Sequence, residues 1–188
     1  GSKTGHIVIS ITSLTISNCT SLQKLVLSNI ATLSGTLNLT SCTHLQEVYA
    51  DGTSLSQMKL PTGGSMRVIE FSPRNQYLSL SNYPLLPTEG VRMDQCKHII
   101  TDFFVEDCPL LHPVKLLVEV MEAQKQQGTE HALKRVRVVG FNETYNSSDI
   151  LDKLASLADG SYEGLSSEGI AGEDPVPVLD GTLNIHAD

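Results

Sequence analysis

The hexapeptide Asn18-Cys19-Thr20-Ser21-Leu22-Gln23 returns 23 residues later as Ser41-Cys42-Thr43-His44-Leu45-Gln46. An internal repeat of this length constrains the fold strongly, because each unit buries too little apolar surface to fold alone and must be stacked on further units. Apolar-x-apolar triplets continue the pattern at Leu14/Ile16, Leu25/Leu27, Leu37/Leu39, Val48/Ala50, Met58/Leu60, Ile69/Phe71, Leu78/Leu80, Val91/Met93 and Phe103/Val105. Their starts lie roughly 9 to 13 residues apart, so two triplets make one coil of about 22 residues. Alternation over three residues is the mark of a short strand with one face inward.

A second feature recurs between the triplets, in Asn18-Cys19-x-x-Leu22, Ser41-Cys42-x-x-Leu45, Asp51-Gly52-x-x-Leu55, Gln95-Cys96-x-x-Ile99 and Asp107-Cys108-x-x-Leu111. A turn-former, a small inward group and an apolar anchor suit a chain that must bend and return within about eleven residues. The Ser, Thr and Asn side chains crowded at Ser17, Asn18, Ser28, Asn29, Thr40 and Ser41 can bond the backbone groups that such bends leave open.

The expected fold is therefore a repeat solenoid, mostly β with helices, over residues 7–141. Gly1-Ser2 reads as a cloning remnant and residues 1–6 as a leader outside the fold. His112-Pro113 precedes an i, i+3, i+4, i+7 stripe of Val114, Leu117, Val118 and Met121, closed by Gly128. That predicts an inserted helix near 113–127 that replaces one half-coil. Val136-Arg137-Val138 resumes the strand pattern. Residues 142–188 hold a second predicted helix near 148–159, built on Ile150, Leu151, Leu154 and Leu157 and expected to cap the stack. A loop from Gly164 to Pro177 is predicted next, then a strand over Val178–Ile185 leading into a following module.

Leu14-x-Ile16-x-x-Cys19-x-x-Leu22-x-x-Leu25-x-Leu27 resembles the leucine-rich repeat in its irregular bacterial version, over about residues 7–140. That resemblance implies a curved solenoid of the α/β type that binds through residues projecting between buried leucines. The stretch from Leu133 through Gly164, with Val178–Ile185, resembles a module of tail or baseplate structural proteins of phages and prophages of gut bacteria. It implies a virion surface component.

Charge narrows the partners. Residues 1–141 carry 12 Lys+Arg against 11 Asp+Glu, whereas 142–188 carry one Lys against 10 acids. With no basic stripe, nucleic acid is not an expected partner. No run of 18 apolar residues exists, so no membrane insertion is expected. Cys19, Cys42, Cys96 and Cys108 share one slot of the repeat and are expected to pack inward as a reduced ladder. Cys96, His98, Cys108 and His112 do not have zinc-site spacing, so no metal is expected. His6, His44, His131 and His186 read as surface residues. No nucleophile elbow, phosphate loop or dinucleotide fingerprint occurs, so neither catalysis nor a cofactor is expected. The sequons at Asn18, Asn38, Asn142 and Asn146 follow from composition.

The outward positions carry the functional expectation. If two half-coils make a turn, Val26, Tyr49, Glu70, Arg92 and, past the helix, Arg137 line one face, with Thr15, Asn38, Lys59, Ser79 and Phe104 on the other. Tyr and Arg are common interface anchors. The expected function is a non-catalytic binding or display module of a larger extracellular, cell-surface or virion protein, recognising a protein or glycan ligand. The alternative is an architectural spacer that docks only flanking modules of its parent chain.

Overall fold

The structure, a computed structural model, describes residues 11–129, 132–141, 147–158 and 166–170. Its strands are β1 Lys24–Val26, β2 Ser34–Asn38, β3 Glu47–Tyr49, β4 Ser54–Lys59, β5 Val68–Glu70, β6 Tyr77–Ser81, β7 Val91–Arg92, β8 Asp102–Glu106, β9 Arg135–Val139 and β10 Ser166–Ile170. The helices are α1, Pro113–Gln127, between β8 and β9, and α2, Ser148–Ala158, between β9 and β10. Every ladder is parallel, and the chain winds a β-solenoid of about four turns.

The odd-numbered early strands stack as β1-β3-β5-β7, and the second column holds β2-β4 and β6-β8-β9-β10. In the first column Leu25, Val48, Ile69 and Val91 are register partners. Val48 and Ile69 have no exposed surface, while Leu25, near the end of the stack, is half-buried against the core. In the second, Leu78, Phe103 and Val136 form the matching inward row, all fully buried. Leu33, Leu37, Leu39 and Leu45 fill the space between the columns. Each such side chain contributes about 1.5–3 kcal/mol of burial, which only a stacked neighbour can supply.

The repeated turn has a definite mechanism. The N–H three residues after each cysteine donates to that cysteine's carbonyl: Leu22 to Cys19 (3.2 Å), Leu45 to Cys42 (3.1 Å), Ile99 to Cys96 (2.9 Å) and Leu111 to Cys108 (3.1 Å). Ile30 fills the same slot in another coil, accepting from Leu33 (3.0 Å). The residue just before the slot is often left-handed, as at Asn18, Asn29, Asn82 and Asp107, types that tolerate positive φ, or is a glycine, as at Gly52 and Gly140. Gly52 thus takes the left-handed place, and the buried slot residue beside it is Thr53, one position later than the spacing predicts. A Cβ on Gly52 would stand 2.6 Å from Asn29 Oδ1 and 3.0 Å from Asn29 Cα, its counterpart one coil away.

The helix between Cys108 and Val136 forms as predicted, with Pro113 in its first turn and Gly128 closing it at φ 69°. Because β8 and β9 are neighbours in the second column, α1 occupies the place a first-column strand would have held. The next half-coil repeats the substitution, since α2 lies between β9 and β10, which also pair. The later turns are thus strand-helix coils, with α2 packed on α1. α2 forms where the second helix is predicted and buries Leu154 and Leu157 in the common core, in a half-coil position. The predicted loop from Gly164 to Pro177 is corrected, because Ser166–Ile170 is a strand. Two 3-10 turns, Thr88–Gly90 and Lys97–Ile99, were not expected from the sequence.

Three cysteines pack inward as expected, but Cys19 is exposed. It belongs to the first described coil, where residues 11–17 form no strand and leave its slot uncovered, so Leu14/Ile16 is not the strand its pattern predicts. Burial pushes the Cys96 thiol up to about 12 and also raises Cys42 and Cys108, so the resting form of all three at neutral pH is the thiol. Residues 1–6, the strand predicted at 178–185, the sequons at Asn142 and Asn146, and His6, His131 and His186 lie outside the described residues.

Candidate functional site

A strand turns alternate residues to opposite faces, so the residue between each inward pair must point out. Parallel register then aligns these residues from coil to coil. Val26, Tyr49, Glu70 and Arg92 are consecutive register partners across β1, β3, β5 and β7, forming one outward ladder. Neighbouring rungs of such a ladder are about 4.8 Å apart.

Arg137 is not part of it. It pairs with Phe104 on β8, and so belongs to the opposite face with Ser79. The physical reason is the helix: α1 takes the first-column place after β7, so the strand that resumes after it falls in the second column. The second face is itself divided. Asn38 and Lys59 are partners, as are Ser79, Phe104 and Arg137, but β4 and β6 form no ladder, and Gln76 N–H beside β6 donates to the Ser56 carbonyl of β4 (3.0 Å). Thr15 precedes the first strand. On this face Arg135 stacks 5.3 Å from the Phe104 ring centre and bonds Asp102 Oδ2 through Nε (2.7 Å), while Arg137 pairs with Glu106.

The first ladder is organised around Tyr49. The Lys24 ammonium and the Arg92 guanidinium each lie 5.6 Å from its ring centre, one from β1 and the other from β7, on opposite sides of β3. Each such contact at an exposed site is worth about 0.5–1 kcal/mol. The Tyr49 hydroxyl donates to Glu47 Oε1 (2.6 Å), and that bond is the main reason its pKa is raised. Arg92 is 3.7 Å from Glu70, an ion pair too exposed to add much stability. Val26 stays 57% exposed at the β1 end.

Lys24 and Glu47 were missed by counting only residues between the inward pairs. They form the adjacent outward row, two residues earlier on the same strands, and period-two alternation alone locates them. At the other end, Arg92 opens onto a groove of about 450 Å³ lined also by Glu89, Asp94, His112 and Lys115, where the strand column gives way to α1. Two acids and two bases surround Tyr49, so the face has no net charge.

Among the described residues no group of three or more His, Cys, Asp or Glu side chains is placed to hold a metal ion. Nor is any helix there long and apolar enough to cross a membrane. The fold defines the class to which the chain belongs, a stacked-coil parallel β-solenoid with helices. No family model, curated protein or solved structure matches the chain.

Proposed function

We propose that the protein is a non-catalytic binding module that recognises a protein or glycan through the outward face of β1, β3, β5 and β7. The observation that carries this reading is the register alignment of Val26, Tyr49, Glu70 and Arg92, with two cations drawn onto the one aromatic ring. Tyr49 and Arg92 are held in place before any ligand arrives, which lowers the ordering cost of binding. The balanced charge favours a neutral, hydroxyl-rich or mixed-charge partner over a polyanion. Membership of the leucine-rich-repeat group and a place on a cell surface or virion belong to the same proposal, and rest on the sequence pattern alone.

One observation favours the spacer reading. Tyr49, Glu47, Glu70 and Arg92 already engage one another, as the side chains of an ordinary solvated sheet also would. An array of immobilised glycans and cell-surface proteins separates the two. Replacing Tyr49→Ala and Arg92→Ala together is expected to reduce retention by about tenfold or more, the scale of a lost interface anchor. The melting temperature should hardly change, since both side chains lie outside the core. Retention unaffected by the double substitution, or no retention of the unmodified chain, would leave the spacer reading in place.

A further inference from the structure

Cys19 and Cys42 fill the same turn slot in successive coils, 23 residues apart. Contacts on the chain beside them fix that stacking. Gln46 N–H donates to the Gln23 carbonyl (2.8 Å), again at an interval of 23. His44 Nδ1 lies 2.6 Å from the Thr20 carbonyl; a carbonyl can only accept, so the ring carries its proton on Nδ1 and donates. Adjacent rungs about 4.8 Å apart fall within the Cα separations that disulfides span, roughly 4.4–6.8 Å.

We propose that Cys19 and Cys42 are a disulfide-forming pair that staples the first described coil to the next. The two members differ as an initiating and a resolving thiol would. Cys19 is exposed and can meet an oxidant, whereas Cys42 is fully buried and can be reached only from within the fold. Burial raises the Cys42 thiol, and the charge of Cys19 raises it further, as a close neighbour does. Neither remaining cysteine has such a partner. Cys108 follows Tyr83 in its column, and Cys96, in the turn after β7, follows Ser72 in the turn after the adjacent β5, where Asn75 N–H donates to the Ser72 carbonyl (3.0 Å).

The oxidant is a low-molecular-weight disulfide such as oxidised glutathione. The Cys19 thiolate attacks one of its sulfurs, breaking the S–S bond and releasing one glutathione thiolate. The Cys42 thiolate then attacks the Cys19 sulfur of the mixed disulfide and expels the second. The two protein thiols are oxidised, the reagent is reduced to two thiols, and the two protons lost by the cysteines pass to those leaving groups.

Oxidation of the full chain with excess oxidised glutathione, followed by acid quenching, alkylation in denaturant and mass spectrometry, tests the assignment. Two of the four thiols should disappear. Trypsin cleaves after Lys24 and so separates Cys19 from Cys42, and the two fragments should be recovered joined and two hydrogen masses light. The melting temperature should rise on oxidation and return on reduction. Cys19→Ser, at an exposed position, should fold normally and abolish both changes, which keeps the test decisive if Cys42→Ala fails to fold. Arrest at a glutathione adduct on Cys19, or linkage only between chains, would overturn the proposal.

Discussion

Gly90→Ala is expected to destabilise the protein by about 3 kcal/mol, through overpacking rather than through loss of any interaction. Gly90 is buried at the end of the Thr88–Gly90 turn, just before β7. A Cβ there would overlap the Arg67 carbonyl oxygen and stand 3.0 Å from Leu86 Cδ1 and 3.2 Å from Pro87 Cδ. None of these can retreat cheaply. The Arg67 N–H is bonded to the Gln46 carbonyl (2.7 Å), Leu86 is fully buried, and Gly90 N–H is itself tied to the Pro87 carbonyl (2.9 Å). In a chain of this size the cost corresponds to a fall in melting temperature of roughly 6 to 12 °C. Urea denaturation measures it, and a loss below about 1 kcal/mol would mean that β5 and β7 do not approach as described.

The second large effect is expected at Gln124, a fully buried polar side chain on α1. Its Nε2 donates to the Ile100 carbonyl (2.9 Å) and its Oε1 accepts from Leu133 N–H (3.3 Å). One amide therefore ties the helix both to the strand entering it and to the strand leaving it. Gln124→Met keeps the volume and helix propensity but leaves those two backbone groups without their partner. The expected cost is about 2–4 kcal/mol, because an unsatisfied buried group loses more than the net value of its bond. Hydrogen exchange gives the local readout: amides of α1 and β9 should lose protection while those of β1 and β3 do not. Uniform loss across the chain, or no loss, would show that Gln124 is not the tie.

The same residues explain how far the sequence could be read. The row Val26, Tyr49, Glu70 and Arg92 was legible because two periods fix it: alternation within a strand chooses the face, and the repeat chooses the neighbour. Arg137 was misplaced because counting past α1 assumed that a strand resumes in the column where strands stopped. Apolar spacing predicts that a helix forms, but which column it consumes is set by the pairing of β8 with β9. The offset at Thr53 has a similar origin. Gly52 resembles a small inward residue in the pattern, yet its real task is a left-handed turn stacked against Asn29. The exposure of Cys19 depends on what covers its coil, and the repeat motif carries no information on that.

Helices hide their role for the same reason. The stripe of α2 reads equally well as a lid or as a half-coil, because both bury one apolar face. The half-coil placement is visible only in the pairing of β10 with β9 beyond it. Ser166-Ser167-Glu168-Gly169-Ile170 lacks the apolar-x-apolar signature, so no periodicity marks it as a strand. Lys97–Ile99 and Thr88–Gly90 are single turns too short for any pattern to declare.

The Tyr49 face exists only if the coils stack in parallel with Leu25, Val48, Ile69 and Val91 in register, and nuclear Overhauser contacts across the first column test that most directly. Backbone cross-peaks should link Leu25 with Val48, Val48 with Ile69, and Ile69 with Val91. Contacts joining β1 to β2 as an antiparallel hairpin, or a ladder shifted by one residue that turns Tyr49 inward, would contradict the account.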